Sequence, residues 1–155
     1  MIGQILPHRT LVDPKSCARR AASVLDHASP MQSKEISVRA FQFGVRIVRL
    51  YQRMVDRNGA ARVLAYQLLR SGTSIGANLE EATVAQTKPD FIAKVAISRK
   101  EARETTYWLR LIVAADLMPT AEIEPELNES IELGSILSAI IYRARLSPRR
   151  GGGPS

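Results

Sequence analysis

The residue types that most often carry out catalysis are confined to the beginning of this 155-residue chain. Both histidines, His8 and His27, and the single cysteine, Cys17, precede the first segment with a regular apolar pattern. The rest of the chain therefore offers no imidazole base and no thiolate nucleophile. It also lacks the His or Cys ligands of a zinc site and the Glu-x-x-His pairs of a di-metal helix bundle. We expect no catalytic residues, no metal and no cofactor.

Glutamates are the other groups that could perform acid–base chemistry or bind a hard metal ion. The candidates in the central part of the chain are Glu80, Glu81, Glu101 and Glu104. Carboxylates of this kind are usually solvated or paired with a basic neighbour, and we interpret these in that way. Gly72 and Gly76 do not form a phosphate-binding loop, because they lie within a helical pattern rather than after a strand.

Arginine is the residue type whose arrangement most clearly indicates a function. At about 100° per residue, five arginines of the first predicted helix fall within an arc of about 80° that no acid interrupts. A row of such cations is repulsive unless an anion relieves it, so we expect both this stripe and a second basic row on the third helix to bind nucleic-acid phosphates. The stripe consists of Arg39, Arg46, Arg49, Arg53 and Arg57, and the second row of Arg99, Lys100, Arg103 and Arg110.

Two other interpretations of the helix-one stripe stay open. Its arginines could pair with acidic residues of the last helix, within one subunit or between subunits, or they could form a surface without a partner. The acidic residues available for such pairing are Glu122, Glu124, Glu126, Glu129 and Glu132.

Charge is unevenly distributed along the chain, whose formal net charge is +7. Residues 36–70 contain seven arginines and one aspartate, whereas residues 111–146 contain two arginines and six acidic residues. This asymmetry indicates either a polyanionic partner or two complementary faces.

No apolar run approaches the roughly 20 residues that span a bilayer, and the N-terminal segment lacks a signal-peptide pattern, so we expect a cytoplasmic protein.

Apolar residues with three- and four-residue spacing predict four helices and no strands. Helix one runs from about residue 36 to Asn58-Gly59. Its apolar face consists of Val38, Phe41, Val45, Val48 and Val55, widened by Ile47, Tyr51 and Met54. Helix two follows Gly59, helix three begins at a Thr87 cap and ends near Met118-Pro119, and helix four begins near Glu124-Pro125. Short connections between sequential helices favour an all-α, antiparallel up-down-up-down four-helix bundle over residues 35–146. Residues 1–34 and 147–155 are predicted to be flexible tails.

The segment "LLRSGTSIGANLEEA", residues 68–82, places poor helix formers in the middle of helix two. Because its leucines and Ile75 stay in helical phase, we favour a helix over a loop. Gly72 and Gly76 would then let a neighbouring helix approach closely. The polar side chains predict a buried structural cluster between helices two and three that consists of Arg70, Ser74, Asn78, Glu81, Glu101 and Glu104.

Together with "FQFGVRIVRLYQ" in helix one, the segment from "LLRSGTSIGANLEEATVAQTKPDF" to "WLRLI" resembles a known family. It is similar to the bacterial four-helix bundle proteins encoded in intervening sequences of large-subunit ribosomal RNA genes. More distantly, it resembles the accessory protein of diversity-generating retroelements. In the helix-two motif of the family, Asn78 and Glu81 match the usual residues and Glu80 departs from them.

The resemblance implies a homo-oligomer, typically a pentamer, with a basic surface suited to nucleic acid and no established activity. We therefore expect a non-catalytic, oligomeric protein that binds RNA or DNA. The alternative is a protein-interaction scaffold or accessory subunit that docks a partner such as a reverse transcriptase.

Overall fold

The computed structural model describes residues 30–57 and 59–146 of the chain, which form four α-helices and, within those ranges, no strand. The predicted tails at residues 1–29 and 147–155 lie outside the described residues. Residues 30–34, predicted to belong to a tail, are helical. Proline suits the first helical position because its fixed φ is compatible with a helix and its missing N–H would have had no intrahelical partner. The helices are α1 (Pro30–Val55), α2 (Ala60–Thr83), α3 (Lys88–Ala114) and α4 (Thr120–Leu146).

The helices form an up-down-up-down bundle in which each packs against the next one in sequence. The connections span residues 56–59, 84–87 and 115–119, which is too short for anything but antiparallel neighbours. The first and last helices, α1 and α4, also touch, but more sparsely than the three sequential pairs. The predicted all-α four-helix bundle is therefore correct.

Two helix starts follow from local sequence. Gly59 precedes α2 with a φ of 69°, a left-handed conformation that glycine adopts at little cost. At the start of α3, the Thr87 hydroxyl accepts a hydrogen bond from the Asp90 N–H at 3.2 Å, and proline lies in the first turn. Both starts agree with the predictions.

The turn between α3 and α4 differs from the prediction. Helix α3 ends at Ala114, in a Schellman motif: the Leu117 N–H donates to Ile112 O at 3.1 Å, and the N–H of Asp116, at φ 51°, donates to Val113 O. Helix α4 starts at Thr120, so that Pro125 lies inside the helix rather than at its start. The earlier start adds a turn that buries Ile123 completely.

The apolar face predicted for α1 is only partly correct: Ile47 and Met54, predicted to widen it, are buried, but most of its main stripe is exposed. Val38 is 51% exposed, Phe41 68% and Val48 37%, and we call Val38, Phe41, Val45 and Val48 the outer stripe of α1. The helix carries a second stripe with the same spacing, and that one enters the core. The buried residues are Ile36, Ala40, Phe43, Ile47, Leu50 and Met54.

The weak helix formers of α2 lie in a continuous helix that packs closely on α1. A Cβ added at Gly72 would lie 2.8 Å from Ile47 Cγ2 and 2.9 Å from Ile47 Cγ1. A Cβ added at Gly76 would lie 3.5 Å from the Ala40 carbonyl. Gly72 therefore permits the close approach of α1, and this packing offsets its low helix propensity, whereas the space beside Gly76 would accept a Cβ at ordinary contact distance.

Candidate nucleic-acid interface

Three arginines of the predicted α1 stripe form ion pairs with α4 of the same chain. We call this set the arginine–glutamate ladder. Its members are Arg39, Arg46 and Arg53 of α1 and Glu122, Glu126, Glu129 and Glu132 of α4.

Arg39 makes the strongest contacts in the ladder. Its Nε and Nη2 donate to the two carboxylate oxygens of Glu129 at 2.7 and 2.8 Å, and Nη2 also lies 2.7 Å from Glu132 Oε2. Arg46 Nε donates to Glu126 Oε2 at 2.8 Å, while Arg53 Nε lies 3.6 Å from Glu122 Oε2. The ladder thus spans the sparsely packed seam between the first and last helices with long charged side chains.

The ladder shifts the pKa values of its Arg39–Glu129 pair. The hydrogen bond from Arg39 lowers the pKa of Glu129, against the opposing effect of burial. The same hydrogen bond raises the pKa of Arg39. Both groups are therefore charged at neutral pH and already have a counter-ion inside the protein.

The remaining two arginines of the stripe differ from each other. Arg57 Nη1 donates to Leu117 O at 2.6 Å and so fastens the α3–α4 turn to the end of α1. Arg49 is exposed, and its side chain has no hydrogen bond or ion pair within residues 30–57 and 59–146. Of the five stripe residues, four are thus held by α4 or its preceding turn.

The second predicted basic row has a different environment. Arg99, Arg103 and Arg110 line an open groove of about 540 Å³ between α3 and α4, which we call the α3–α4 groove. None of the three forms an ion pair or side-chain hydrogen bond in the part of the chain that the structure describes. Lys100, one residue from Arg99, is exposed and also makes no such contact there.

The α4 side of the groove carries small, uncharged residues. Its lining on this side consists of Ser130, Ile131, Gly134, Ser135 and Ser138.

Helical spacing explains the contrast between the two faces of α4. The ladder glutamates recur at intervals of three and four residues and therefore share the face toward α1, whereas the serines share the face toward α3. A Cβ added at Gly134 would lie 3.9 Å from Ala102 Cβ, so α3 and α4 approach closely beneath the groove. Among the described residues, α4 thus supplies counter-ions to three of the α1 arginines and none to the α3 arginines.

The predicted polar cluster between α2 and α3 does not form as a buried unit. Arg70 Nη2 meets Glu104 Oε1 at 3.2 Å, but the Arg70 side chain is 61% exposed. Ser74 and Asn78 donate to carbonyls within α2, at Arg70 O and Ser74 O. Glu81 pairs with Lys94 at the surface. The long side chains reach solvent rather than the helix interface, which explains the error.

Glu101 is the member of this predicted cluster that has no side-chain hydrogen bond or ion pair among the described residues. Partial burial raises its pKa, the nearby Glu104 adds to the increase, and Arg70 opposes it. Glu104 also accepts a hydrogen bond from Trp108 Nε1 at 3.2 Å. Glu101 and Glu104 are thus two neighbouring carboxylates of α3 beside Arg70 of α2.

Short hydroxyl side chains provide the buried polar contacts between α2 and α3. Ser98 Oγ donates to Ile75 O at 2.8 Å, and the Thr105 and Ser71 hydroxyls lie 3.1 Å apart. All three hydroxyl residues are buried. Our sequence reasoning missed them, although their position in phase with the apolar residues of both helices was a usable signal.

Other kinds of site find no support in the described residues. Within them, no three His, Cys, Asp or Glu side chains cluster in a way that could hold a metal ion. Among the helices described, none combines the length and apolar character needed to cross a membrane.

The chain is similar to one named family and to a solved structure. A family model described as 23S rRNA-intervening sequence protein matches residues 32–139. A crystal structure at 1.70 Å resolution, of a protein with unknown function from the S23 ribosomal protein family of Bacteroides thetaiotaomicron, is 39% identical. That match covers 71% of this chain and 97% of the other, with a TM-score of 0.66.

The comparison with curated proteins produced no match. The family model and the solved structure name no catalytic activity, and neither concerns the accessory protein of retroelements. The family model spans well over half of the chain. This chain therefore belongs to the 23S rRNA-intervening sequence protein family.

Proposed function

We propose that the protein is a non-catalytic, cytoplasmic nucleic-acid-binding protein whose α3–α4 groove contacts the phosphate backbone. One observation carries the proposal: Arg99, Arg103 and Arg110 line the same groove and have no counter-ion among the described residues. Like charges held in a row gain most from a polyanion, which releases its own counter-ions on binding.

The ladder supports the choice of groove over α1. Arg39 and Arg46 already donate to carboxylates at 2.7–2.8 Å, so phosphate binding there would first have to break those bonds. The groove arginines have no such bonds to lose in the described part of the chain. Arg49 and Lys100, both exposed and without a partner among the described residues, are secondary contacts in this proposal.

Two matched triple variants test the proposal. The first replaces Arg99, Arg103 and Arg110 with glutamine, and the second replaces Arg39, Arg46 and Arg53 with glutamine. Each removes three positive charges from one helix, so any difference between them reports position rather than net charge. Binding of a labelled duplex and a labelled single strand is measured across a salt series.

We expect the groove variant to bind both nucleic acids more weakly and to flatten the duplex salt slope by up to about 2.7, at about 0.9 per phosphate contact. The ladder variant should keep its affinity and lose thermal stability, because it leaves glutamates of α4 unpaired. Equal weakening by both variants would indicate that binding depends only on total charge, and it would contradict the α3–α4 groove as the binding site. Absence of binding at about 50 mM salt would reject the function itself.

A second observation supports self-association. The four apolar residues of the outer stripe of α1 follow the three-four-three spacing of a helix-pairing seam. Three of them are exposed in the single chain. An exposed apolar stripe of this kind favours burial against another surface, and we propose that another copy of this chain covers it. In a ring of subunits, each copy would present the stripe to a different surface of its neighbour. A homo-oligomer, with the pentamer expected from the family resemblance, would repeat the groove around the assembly.

A further inference from the structure

An exposed aromatic ring lies among the unpaired arginines of the groove. Tyr107 lines the α3–α4 groove and is 56% exposed. It follows Arg103 by four residues and precedes Arg110 by three, so the three side chains share one side of α3. Its hydroxyl has no hydrogen bond within the described residues, so that local bonding does not explain its position.

A neighbouring residue braces this ring. The rings of Tyr107 and Trp108 meet edge to face, with centroids 4.8 Å apart and an interplanar angle of 71°. Trp108 in turn donates its Nε1–H to Glu104 Oε1 at 3.2 Å. A ring held in this way presents a flat surface at a small entropic cost, which is what a stacking platform requires.

We propose that the groove binds single-stranded nucleic acid, with one base stacked on Tyr107 and the flanking phosphates on Arg103 and Arg110; this rests on the proposed function. A duplex hides the faces of its bases, whereas a single strand exposes them for stacking on aromatic side chains. The row from Arg99 to Arg110 is about 16 Å long at 1.5 Å per residue, so each groove would hold a short stretch of strand.

The test compares three probes: a 20-nucleotide oligothymidine, a hairpin duplex of equal charge, and heparin, a polyanion without bases. The variants are Tyr107→Ala, Tyr107→Phe and, as a matched control, Tyr66→Ala, which removes a tyrosine of α2 that is 60% exposed. Thermal unfolding of each variant reports whether the fold is intact.

We expect Tyr107→Ala to weaken oligothymidine binding about 5- to 100-fold, which is the range for losing one stacked base, with an unchanged salt slope and unchanged heparin binding. Tyr107→Phe keeps a ring and should bind like the parent. Tyr66→Ala should also match the parent.

Three results would overturn the inference: unchanged oligothymidine binding by Tyr107→Ala, an equal loss for heparin, or tighter binding of the hairpin than of the single strand. If these occur while the groove arginine variant still loses binding, the proposed function stands and only the single-strand preference fails. If no probe with bases binds but an acidic polypeptide such as polyglutamate does, both proposals fail and the groove is a protein-docking surface.

Discussion

Gly72 and Gly76 lie one turn apart in α2, but the space beside them differs. A Cβ at Gly72 would collide with the side chain of the fully buried Ile47, whose branched carbon cannot swing away. A Cβ at Gly76 would make ordinary contacts of 3.5–3.6 Å with the backbone of α1. Helix propensity favours alanine at both positions by about 1 kcal/mol, so packing decides the sign at each.

We predict that Gly72→Ala lowers the free energy of unfolding by about 1 to 3 kcal/mol through overpacking. Gly76→Ala should instead raise it by up to about 1 kcal/mol. Urea denaturation of the two variants measures both values. As a control, Gly72→Ala should cost less in an Ile47→Ala background than in the parent, because the clashing atoms are gone. The same loss in both backgrounds would contradict the Ile47 clash.

An acidic residue introduced into the α3–α4 groove should pair with the groove arginines, as the ladder glutamates pair with the α1 arginines. Ser138 lines the groove on α4, opposite the α3 arginines. We predict that Ser138→Glu weakens nucleic-acid binding at least as much as the loss of one phosphate contact, because the new carboxylate competes with phosphate for the groove arginines. Ser138→Gln, which is similar in size but neutral, should bind like the parent. Equal effects of the two substitutions would show that bulk rather than charge is responsible.

At the residue scale, the sequence identified which side chains could matter but not their partners. The basic residues were apparent from composition and spacing. Which arginines have internal counter-ions depends on which face of α4 meets α1, and that is settled by tertiary packing between residues about 80 to 90 positions apart. The buried hydroxyls of α2 and α3 were missed because long charged side chains looked like better bonding partners.

At the scale of helices, the Arg39–Glu129 pair joins α1 to α4 and should make stability depend on pH. The hydrogen bond from Arg39 lowers the pKa of Glu129, so folding favours the ionised carboxylate. This contribution is complete above the unfolded pKa of glutamate, about 4.3, and is lost as the pH falls through the lower folded pKa. We predict that Glu129→Gln reduces stability by about 1 kcal/mol at pH 7 and that this effect fades as the pH falls through the lowered folded pKa of Glu129.

Glu101, at the edge of α2 and α3, should show the opposite sign. Partial burial, together with Glu104, raises its pKa, so the ionised form opposes folding at neutral pH. The penalty is present above the folded pKa and disappears as the pH falls toward the unfolded value. We predict that Glu101→Gln stabilises the protein at pH 7 and that the gain vanishes in acid. Chemical denaturation from pH 3 to 8 checks both glutamates, and a loss of stability for Glu101→Gln at pH 7 would contradict this interpretation.

Helix number, order and most boundaries could be predicted from sequence, because caps and breaks are local signals. Thr87 and Gly59 are examples. The face of α1 that enters the core could not be predicted, since the helix has two apolar stripes with the same spacing and only one fits the bundle. The start of α4 was also mistaken, because Pro125 resembled a first-turn proline although burying Ile123 required another turn.

At the scale of the whole molecule, the two flanks of α4 carry different electrostatic arrangements. Toward α1, cations and anions pair and largely neutralise each other. Toward α3, cations face serines and glycine. The net charge of +7 therefore says less about binding than the way in which the acids are distributed between the two flanks.

The outer stripe of α1 supplies the last prediction. Phe41 is 68% and Val48 37% exposed, so replacing both with serine removes less buried surface from the single chain than a substitution of two core residues would. If a second copy covers the stripe, the variant should become monomeric at micromolar concentration, because burial of large apolar side chains in an interface is lost. Light scattering gives the mass, and unfolding of a dilute sample shows whether the single bundle is intact.

Val63→Ser is the matched control, because Val63 is 62% exposed on α2 and lies outside the stripe. It should leave the mass of the assembly unchanged. The groove arginine variant should also assemble like the parent, since its substitutions lie between α3 and α4. A parent protein that is already monomeric would contradict self-association. A Phe41/Val48 variant that stays oligomeric would locate the interface elsewhere. A variant that is monomeric but still binds nucleic acid with reduced affinity would show that several grooves act together on one strand.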